Sequence, residues 1–563
     1  ASDVYKRQVM GLADEFTVEM AEAVTGSKNT AAILQTLTEQ NAFVKRLPDG
    51  VTFRFHHMMK DCAERTFHTM EPRRQAVYHN RYGGWYKTHG QYLHALKFYC
   101  LAKNYDAALR VIQRDAGILL TSLGAQQVLD FIAHCPVETL KEHPLSLLVL
   151  MRSMFNWRQI PKMLELKELL LAAITEHPDW PESERGDLLG ECDLIMSFLM
   201  YNDISAMSRL HRSASAQMSR PAISIQSSGG WTFGSPSVLM MFHRAPGSLK
   251  SELFEMDECM PHYYKVTNHH GQGAETIMRA EALFCQGRFT DAHIELERAY
   301  AQVKDNGQIN MALCCDFLSR RLSLYTDVEQ RYTFEERYAD LLRYHDASWI
   351  NLWSAASAYY HALRGETDKI PEIFSLHRLS DINMLAPGKP MMEMIENQVY
   401  LAQGAYAKVV GRSAELLAVC EAMHYALVAL HIRLQTAAAY EMLGKRETAD
   451  ELLISALAAA EPDALYLPFV ENYRYLKTAL TRGAGAKFAA FVRTVTPLGE
   501  DFVRRCGEKR AEGSRPAALA GLTERENAIA ALVAKRLSNR EIAEQLFLSE
   551  GSVKQYINQI YSK

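Results

Sequence analysis

The chain has 563 residues, of which 48% are hydrophobic and 23% are charged. This balance is ordinary for a globular protein, and the length exceeds what a single hydrophobic core supports, so we expect several domains. The formal net charge of −4 excludes a uniformly basic nucleic-acid-binding chain. Any contact with nucleic acid must therefore come from a local surface.

The ten cysteines are scattered, without a CxxC pair or a Cys/His spacing suited to zinc. We expect free, mostly buried thiols, as in a reducing cytoplasm. The sequence contains no run of 18 apolar residues, so we predict no membrane span and a cytoplasmic location. It starts without Met or an apolar signal core and stops within a helical pattern, so we expect it to be part of a longer chain.

Residues 1–70 are predicted to form a winged-helix-like domain. An amphipathic helix opens at residues 14–17 and ends at Gly26. Residues 43–55 then alternate apolar and polar side chains around a Pro-Asp-Gly turn, which is typical of a β-hairpin. A winged helix can bind DNA or serve as a packing module between domains. Few basic residues lie near the wing, which favours packing: Lys45, Arg46 and Arg54.

Residues 71–500 have a helical period almost throughout, and a short pattern recurs within them. A small or polar residue is followed by an aromatic residue two positions later and by Ala three positions after that. The copies begin at Gly90, Lys103, Gly287, Gly404 and, more weakly, Gly444. In a helical hairpin, the first residue would end one helix and the small residue would let the next helix approach closely. The pattern resembles the tetratricopeptide repeat, whose copies stack into a solenoid, and a generic helical bundle is the alternative.

We predict a helical repeat domain over residues 71–225 and a tetratricopeptide-like sensor solenoid over 226–500. Turn-forming residues interrupt the helical pattern at 227–236, and long loops in compact proteins are often functional. Aromatic and basic side chains around this loop suit the recognition of a sugar or an anion. The candidate ligand-binding residues are Trp231, His243, Arg244, Tyr263, Tyr264 and His269. The alternative is a structural loop that seals the inner face of the solenoid.

Residues 501–520 are charged, turn-prone and rich in Ala, which predicts a linker. In residues 521–563, three helices are predicted to begin at Thr523, Ser538 and Ser549, the first two with a capping-box Glu three positions later. Their predicted inner faces contain Ile529, Leu532, Val533, Ile542, Ala543, Leu546, Val553, Ile557 and Ile560. Such short helices joined by a tight turn form a helix-turn-helix.

If the third helix buries its apolar side chains, its other face presents polar ones. These are Ser552, Lys554, Gln555, Asn558 and Gln559. In the major groove Lys can bond to guanine, and Gln or Asn can bond to adenine through two hydrogen bonds. Six basic against five acidic residues leave this segment with a charge of only +1, so we expect weak DNA binding by a monomer.

Residues 521–563 resemble the LuxR-type DNA-binding domain. The matching motifs are Leu522-Thr523-x-Arg525-Glu526, Leu537-Ser538-Asn539-Arg540-Glu541-Ile542-Ala543 and Leu548-Ser549-x-x-Ser552-Val553-Lys554. The resemblance implies that Lys554, Gln555 and Asn558 face bases and that Ser552 and Tyr556 lie near phosphate. In two departures, Arg536 stands where the family usually has Gly, and the fourth, dimer-forming helix of related domains would lie beyond Lys563.

The rest of the chain is similar to the large LuxR-type regulators related to the maltose-regulon activator, a branch of the STAND ATPases. The similar segments are Asp14-Glu15-Phe16-Thr17, Ala23-Val24-Thr25-Gly26 and Phe55-His56-His57-Met58-Met59. The resemblance implies an activator in which a small-molecule inducer and ATP drive self-association on DNA. This sequence contains no GxxxxGK[ST] phosphate loop, so we expect it to hold no cofactor.

We therefore predict a mainly α-helical, DNA-binding transcription regulator. Its expected partners are double-stranded DNA, a small-molecule inducer, and either further copies of itself or the transcription machinery. No motif joins a nucleophile, a base and an orienting acid, so we do not expect an enzyme. The alternative is a protein-interaction scaffold whose last helices only cap the repeats, but a cap would not need the Lys-Gln-Asn face of the third helix.

Overall fold

Helices dominate the described part of the chain, and its strands lie between residues 16 and 55. The computed structural model describes residues 8–40, 43–114, 117–305, 307–328, 330–344, 346–382, 384–483, 485–513, 526, 529–530, 532–533, 537–546 and 548–562. Within these ranges the fold is mainly α, with a winged-helix start and one small three-stranded sheet. None of the described helices combines the length and apolarity needed to cross a bilayer.

The first elements form the predicted winged helix. They are β1 (Phe16–Thr17), α1 (Val18–Thr25), α2 (Thr30–Glu39), β2 (Val44–Arg46), β3 (Thr52–Phe55) and α3 (His57–His68). The sheet is antiparallel in the order β1-β3-β2, with Phe16 opposite Phe53. The Thr17 side chain caps α1 by accepting a hydrogen bond from the Met20 N–H, and Gly26 ends the helix at a φ of 74°. Asp49 accepts backbone N–H bonds from Val51 and Thr52 at 3.0 Å and so fixes the hairpin turn.

The helical body follows. Its first part contains α4 (Pro72–Thr88), α5 (Tyr92–Leu101), α6 (Tyr105–Ile112), α7 (Ile118–Leu123), α8 (Ala125–His134), α9 (Val137–Lys141), α10 (Pro144–Asn156), α11 (Ile160–Glu176), α12 (Glu182–Ser197) and α13 (Ile204–Gln217). The middle part contains α14 (Val238–Phe242), α15 (Leu249–Thr267), α16 (Ala274–Cys285), α17 (Phe289–Asp305), α18 (Ile309–Leu322), α19 (Phe334–Leu341) and α20 (Ala347–Arg364).

The last part of the body contains α21 (Glu372–Ser375), α22 (Lys389–Ala402), α23 (Tyr406–Ala422), α24 (Ala426–Met442), α25 (Arg446–Ala460), α26 (Leu467–Glu471), α27 (Tyr473–Gly483) and α28 (Ala489–Gly513). Short 3₁₀ segments occur at Phe198–Met200, Leu342–Tyr344, Thr367–Lys369, Leu379–Asp381 and Glu461–Asp463. One continuous hydrophobic core joins the winged helix to this body. The ten cysteines are free, and all except Cys62 and Cys100 are buried.

The recurring sequence pattern marks turns between packed helices. Its first residues all have positive φ: Gly90 (71°), Lys103 (53°), Gly287 (74°), Gly404 (75°) and Gly444 (76°). The small residue five positions later is fully buried in every copy, at Ala95, Ala108, Ala292, Val409 and Ala449. The helices on either side of each turn pack against each other. The pattern therefore produces helical hairpins, while their assignment to the tetratricopeptide class stays a prediction.

Residues 501–513 differ from the prediction of a linker, because they form the second half of α28. Phe502 and Cys506 are buried on one side of this helix. Among the charged residues on which the linker prediction rested, Arg505 forms ion pairs with both Asp501 and Asp327 at 2.8 Å. Residues 514–520 lie outside the described residues.

Candidate nucleic-acid interface and ligand cleft

The C-terminal segment has a small hydrophobic core of its own. It contains α29 (Asn539–Leu546) and α30 (Glu550–Ser562), and residues 526, 529, 530, 532 and 533 are also helical. Ile529, Ile542 and Val553 are fully buried in this core, with Ala543 beside them. One apolar residue from each of three helical segments thus meets at the centre, as the apolar spacing predicts.

Two serines begin the last two helices. The Ser538 N–H donates to the Glu541 carboxylate at 2.7 Å, and the Glu541 N–H faces the Ser538 hydroxyl at 3.4 Å, which is the geometry of a capping box. The Ser538 side-chain and backbone bonds lower the pKa of Glu541. The Ser549 hydroxyl accepts the Ser552 N–H at 3.1 Å and so caps α30. The predictions for Thr523 and Arg536 lie outside the described residues.

The face of α30 opposite the buried Val553 is polar and open to solvent. Lys554, Gln555, Asn558 and Gln559 are exposed, in two pairs spaced by four residues along the helix. Ser552 and Tyr556 are half-buried at the edge of this face. The Ser552 hydroxyl lies 2.8 Å from the Ser549 hydroxyl, and the Tyr556 ring packs against the small core. This arrangement offers one cationic and three amide groups to a partner.

One of the three basic residues near the wing is already paired with an acidic residue. Lys45 and Arg46 are exposed, but Arg54 forms an ion pair with Glu15. The Arg46 guanidinium lies 5.8 Å from the centroid of the Phe53 ring, to which it is attracted.

Two of the predicted ligand-binding residues, Trp231 and His243, are buried and already have partners in the protein. Trp231 is 8% exposed, and its ring stacks on Phe242 at 5.3 Å. The His243 ring nitrogen Nδ1 lies 2.8 Å from the Glu252 carboxylate. The cavity beside Trp231 has a volume of about 20 Å³, which suits about one water molecule rather than a sugar.

The other four predicted ligand residues lie in different surroundings. The Tyr263 hydroxyl lies 2.7 Å from Nδ1 of His270 in the interior, and the Tyr264 hydroxyl donates to Glu275. His269 is exposed at a turn with a φ of 63°. Arg244 is half-buried, and its Nη1 lies 2.8 Å from Asp203. The predicted set therefore does not line one open pocket, and its role in binding stays a prediction.

A larger cleft of about 640 Å³ lies between α10 and α23 and includes Arg244 in its lining. We call it the α10–α23 cleft. Besides Arg244, its wall contains Arg158 after α10, Tyr201 after the 3₁₀ segment, residues 385–387 before α22, the first residues of α22, and Arg412 on α23. None of these residues was predicted from the sequence, although the Pro387-Gly388 pair and Pro390 indicate a turn before α22.

Long-range bonds hold this cleft together. The Asn202 side-chain amide donates to the carbonyls of Met423 and His424 at 3.1 and 3.0 Å. The Tyr425 hydroxyl donates to the Pro387 carbonyl at 3.0 Å. Gly388 lies so close to Phe233 that an added Cβ would be 2.4 Å from the Phe233 carbonyl oxygen. The cleft is therefore built from segments that are far apart in the sequence.

A second open groove, of about 650 Å³, lies beside α5, α6 and α8. Leu96, Ile112 and Phe131 contribute to its mainly apolar wall, and Lys97 lies at its edge. Among the described residues, no group of three or more His, Cys, Asp or Glu side chains is placed to hold a metal ion.

Comparison with known proteins gives a match at each end of the chain. The family model described as "MalT winged helix domain" matches residues 9–75. The model described as "Bacterial regulatory proteins, luxR family" matches residues 520–563. The search of curated proteins found no match. The two matches fall on the winged helix and on the segment that contains α29 and α30.

Proposed function

Because the chain matches a MalT winged helix domain at one end and the luxR family at the other, we propose that it is a MalT-like regulator that reads the DNA major groove through the exposed face of α30. Lys554, Gln555, Asn558 and Gln559 would contact base edges, and Ser552 and Tyr556 would lie beside phosphates. The observation that carries this proposal is the exposure of these amide and ammonium groups on a helix whose opposite side is buried. The family of residues 520–563 supports the coarser role of a DNA-binding transcription regulator rather than an enzyme.

We further propose that the helical body senses a small-molecule inducer and that self-association raises the affinity for DNA. The C-terminal segment has six basic against five acidic residues. A single copy therefore neutralises few phosphates, whereas two linked copies on adjacent sites bind much more tightly.

The test is fluorescence anisotropy with a duplex that the protein selects from a random pool, compared with a random duplex at several salt concentrations. We expect Lys554→Ala to weaken binding of the selected duplex by about tenfold to a hundredfold, the range for a lost specific base contact. Lys250→Ala, which removes an exposed cation on α15, is the charge-matched control and should have no effect.

Equal binding by Lys554→Ala and the unmodified protein would contradict the assignment of α30 as the reading helix. Failure to select any duplex, even at high protein concentration, would favour the alternative of a helical-repeat interaction scaffold. The next step would then be to identify a protein that binds the helical body.

A further inference from the structure

The α10–α23 cleft carries more positive than negative side chains. Arg158, Arg244, Lys389 and Arg412 line it, against only Glu393 and Glu415. The Glu393 carboxylate is shared, since it lies 3.7 Å from the Lys389 ammonium and 3.6 Å from the Arg412 guanidinium. Asp203 binds Arg244 and Glu396 binds Arg412, so two of the four cations have a further acidic partner.

Arg158 and Lys389 are the two cations of the cleft whose charge is least compensated by acidic neighbours. Arg158 is exposed, and within the described part of the chain its guanidinium makes no ion pair or hydrogen bond. The Lys389 side chain is 58% exposed, and its distance of 3.7 Å to Glu393 is longer than a hydrogen bond. Both groups can therefore bind an anion without first breaking a strong bond.

The same cleft exposes apolar side chains that a monomeric protein normally covers. Met200, Tyr201, Leu385 and Val419 are between 37% and 44% exposed, and all four line it. A concave apolar wall with a few charged groups, in a volume of about 640 Å³, is the usual form of a site for a small organic molecule.

From these observations we infer that the α10–α23 cleft binds a small organic anion with a ring or another apolar face. Arg158 and Lys389 would bind the carboxylate, sulfonate or phosphate group, and Tyr201 and Leu385 would cover the apolar face. Such a ligand would touch segments before residue 202 and after residue 385 at the same time. The inference deepens the proposed sensing role of the helical body and rests on it, but it assigns a different place from the loop around Trp231.

The test uses the fluorescent probe anilinonaphthalene sulfonate, an aromatic anion. We expect the probe to bind the protein and Arg158→Gln and Lys389→Gln each to weaken that binding about tenfold, since a charge-assisted hydrogen bond contributes about 1.5 kcal/mol or more. Lys97→Gln, beside the other open groove, should leave the affinity unchanged. Glu415→Gln, which removes an acidic group from the same cleft, should not weaken it.

Competition then defines the ligand class. Millimolar benzoate, a small ringed anion, should displace the probe, whereas the same concentration of glucose, a neutral polyol, should not. Displacement by glucose but not by benzoate would overturn the anion assignment. Unchanged probe affinity in both Arg158→Gln and Lys389→Gln, or an equal loss in Lys97→Gln, would overturn the assignment to this cleft.

Two further measurements separate this inference from its premises. Circular dichroism of the Arg158 and Lys389 variants should match that of the unmodified protein, because neither side chain is buried. Anisotropy with the selected duplex, measured without any small molecule, should be unaffected by both variants. A failure of DNA binding in the unmodified protein would therefore count against the proposed function, whereas a failure of the probe titration would count against the cleft alone.

Discussion

Arg321 and Glu471 form an ion pair in the interior of the helical body, although they are 150 positions apart in the sequence. Their side chains are 2% exposed or less, and two hydrogen bonds of 2.8 and 3.1 Å join them. The Tyr359 hydroxyl donates to the same carboxylate at 2.7 Å. The pair thus joins α18 to α26, and it gives the buried guanidinium and the buried carboxylate the hydrogen bonds that water would otherwise provide.

Removing one charge of this pair should destabilise the protein strongly. We expect Glu471→Gln to lower the free energy of unfolding by about 3–5 kcal/mol, because it leaves the Arg321 cation buried without its counter-ion. Urea unfolding followed by circular dichroism measures this loss. The double variant Arg321→Met, Glu471→Met should lose less free energy of unfolding than Glu471→Gln. A larger loss in the double variant would contradict this explanation.

Glu281 should make stability fall as the pH rises. Burial raises its pKa from 4.5 to about 7, while the Leu239 N–H donates to its carboxylate at 2.7 Å. The folded state therefore holds a proton more tightly than the unfolded chain, and about 3 kcal/mol of stability is lost between pH 4.5 and 7. Relative to the unmodified protein, Glu281→Gln should gain stability over this interval. The exposed Glu451→Gln is the control and should show no such trend.

His270 should make stability fall as the pH drops, which is opposite to the effect of Glu281. Burial, helped by the nearby Arg152 cation, lowers its pKa from 6.5 to about 3. The unfolded chain takes up the proton first, so stability falls as the pH drops below 6.5, by about 2 kcal/mol at pH 5. We expect His270→Asn to reduce the slope of stability against pH between 6.5 and 5. His269→Asn changes the exposed neighbour, and an equal reduction there would contradict the prediction.

Gly404, in the turn before α23, and Gly411, inside α23, should respond to replacement by alanine with opposite changes in stability. Gly404 has a φ of 75° and open space around it, so Gly404→Ala should cost about 1 kcal/mol through backbone strain alone. Gly411 lies within α23, also with open space, so Gly411→Ala should gain about 0.5–1 kcal/mol from helix propensity. Thermal unfolding of both variants measures the difference. The same sign for both would mean that the turn at Gly404 relaxes.

The local features of this fold could be predicted because neighbouring residues determine them. The cap at Thr17, the left-handed end at Gly26 and the serine caps of α29 and α30 each depend on residues within four positions. The recurring pattern predicted the helix turns for the same reason. Even Lys103, which lacks the conformational freedom of glycine, adopts the positive φ that glycine adopts in the other copies of the pattern.

The α10–α23 cleft could not be predicted from the sequence, because residues that are distant along the chain decide which side chains remain available. Trp231 and His243 have the chemistry of binding residues, but Phe242 and Glu252 enclose and bond them. The backbone N–H of Trp231 donates to Asn310, which is 79 positions away. Conversely, Arg158 and Lys389 carry no distinctive motif, and only the folded chain brings them to one cleft.

The bonds between Asn202 and the carbonyls of Met423 and His424 also determine when the cleft can form. They close a loop of more than 200 residues, whereas each helical hairpin closes only a few tens. Contacts of such long range form slowly, because the chain entropy of closure is lost before they stabilise anything. The hairpins should therefore fold first and the cleft last. A nascent chain would remain unable to recognise a ligand at this place until the segment around residue 424 had been synthesised and docked.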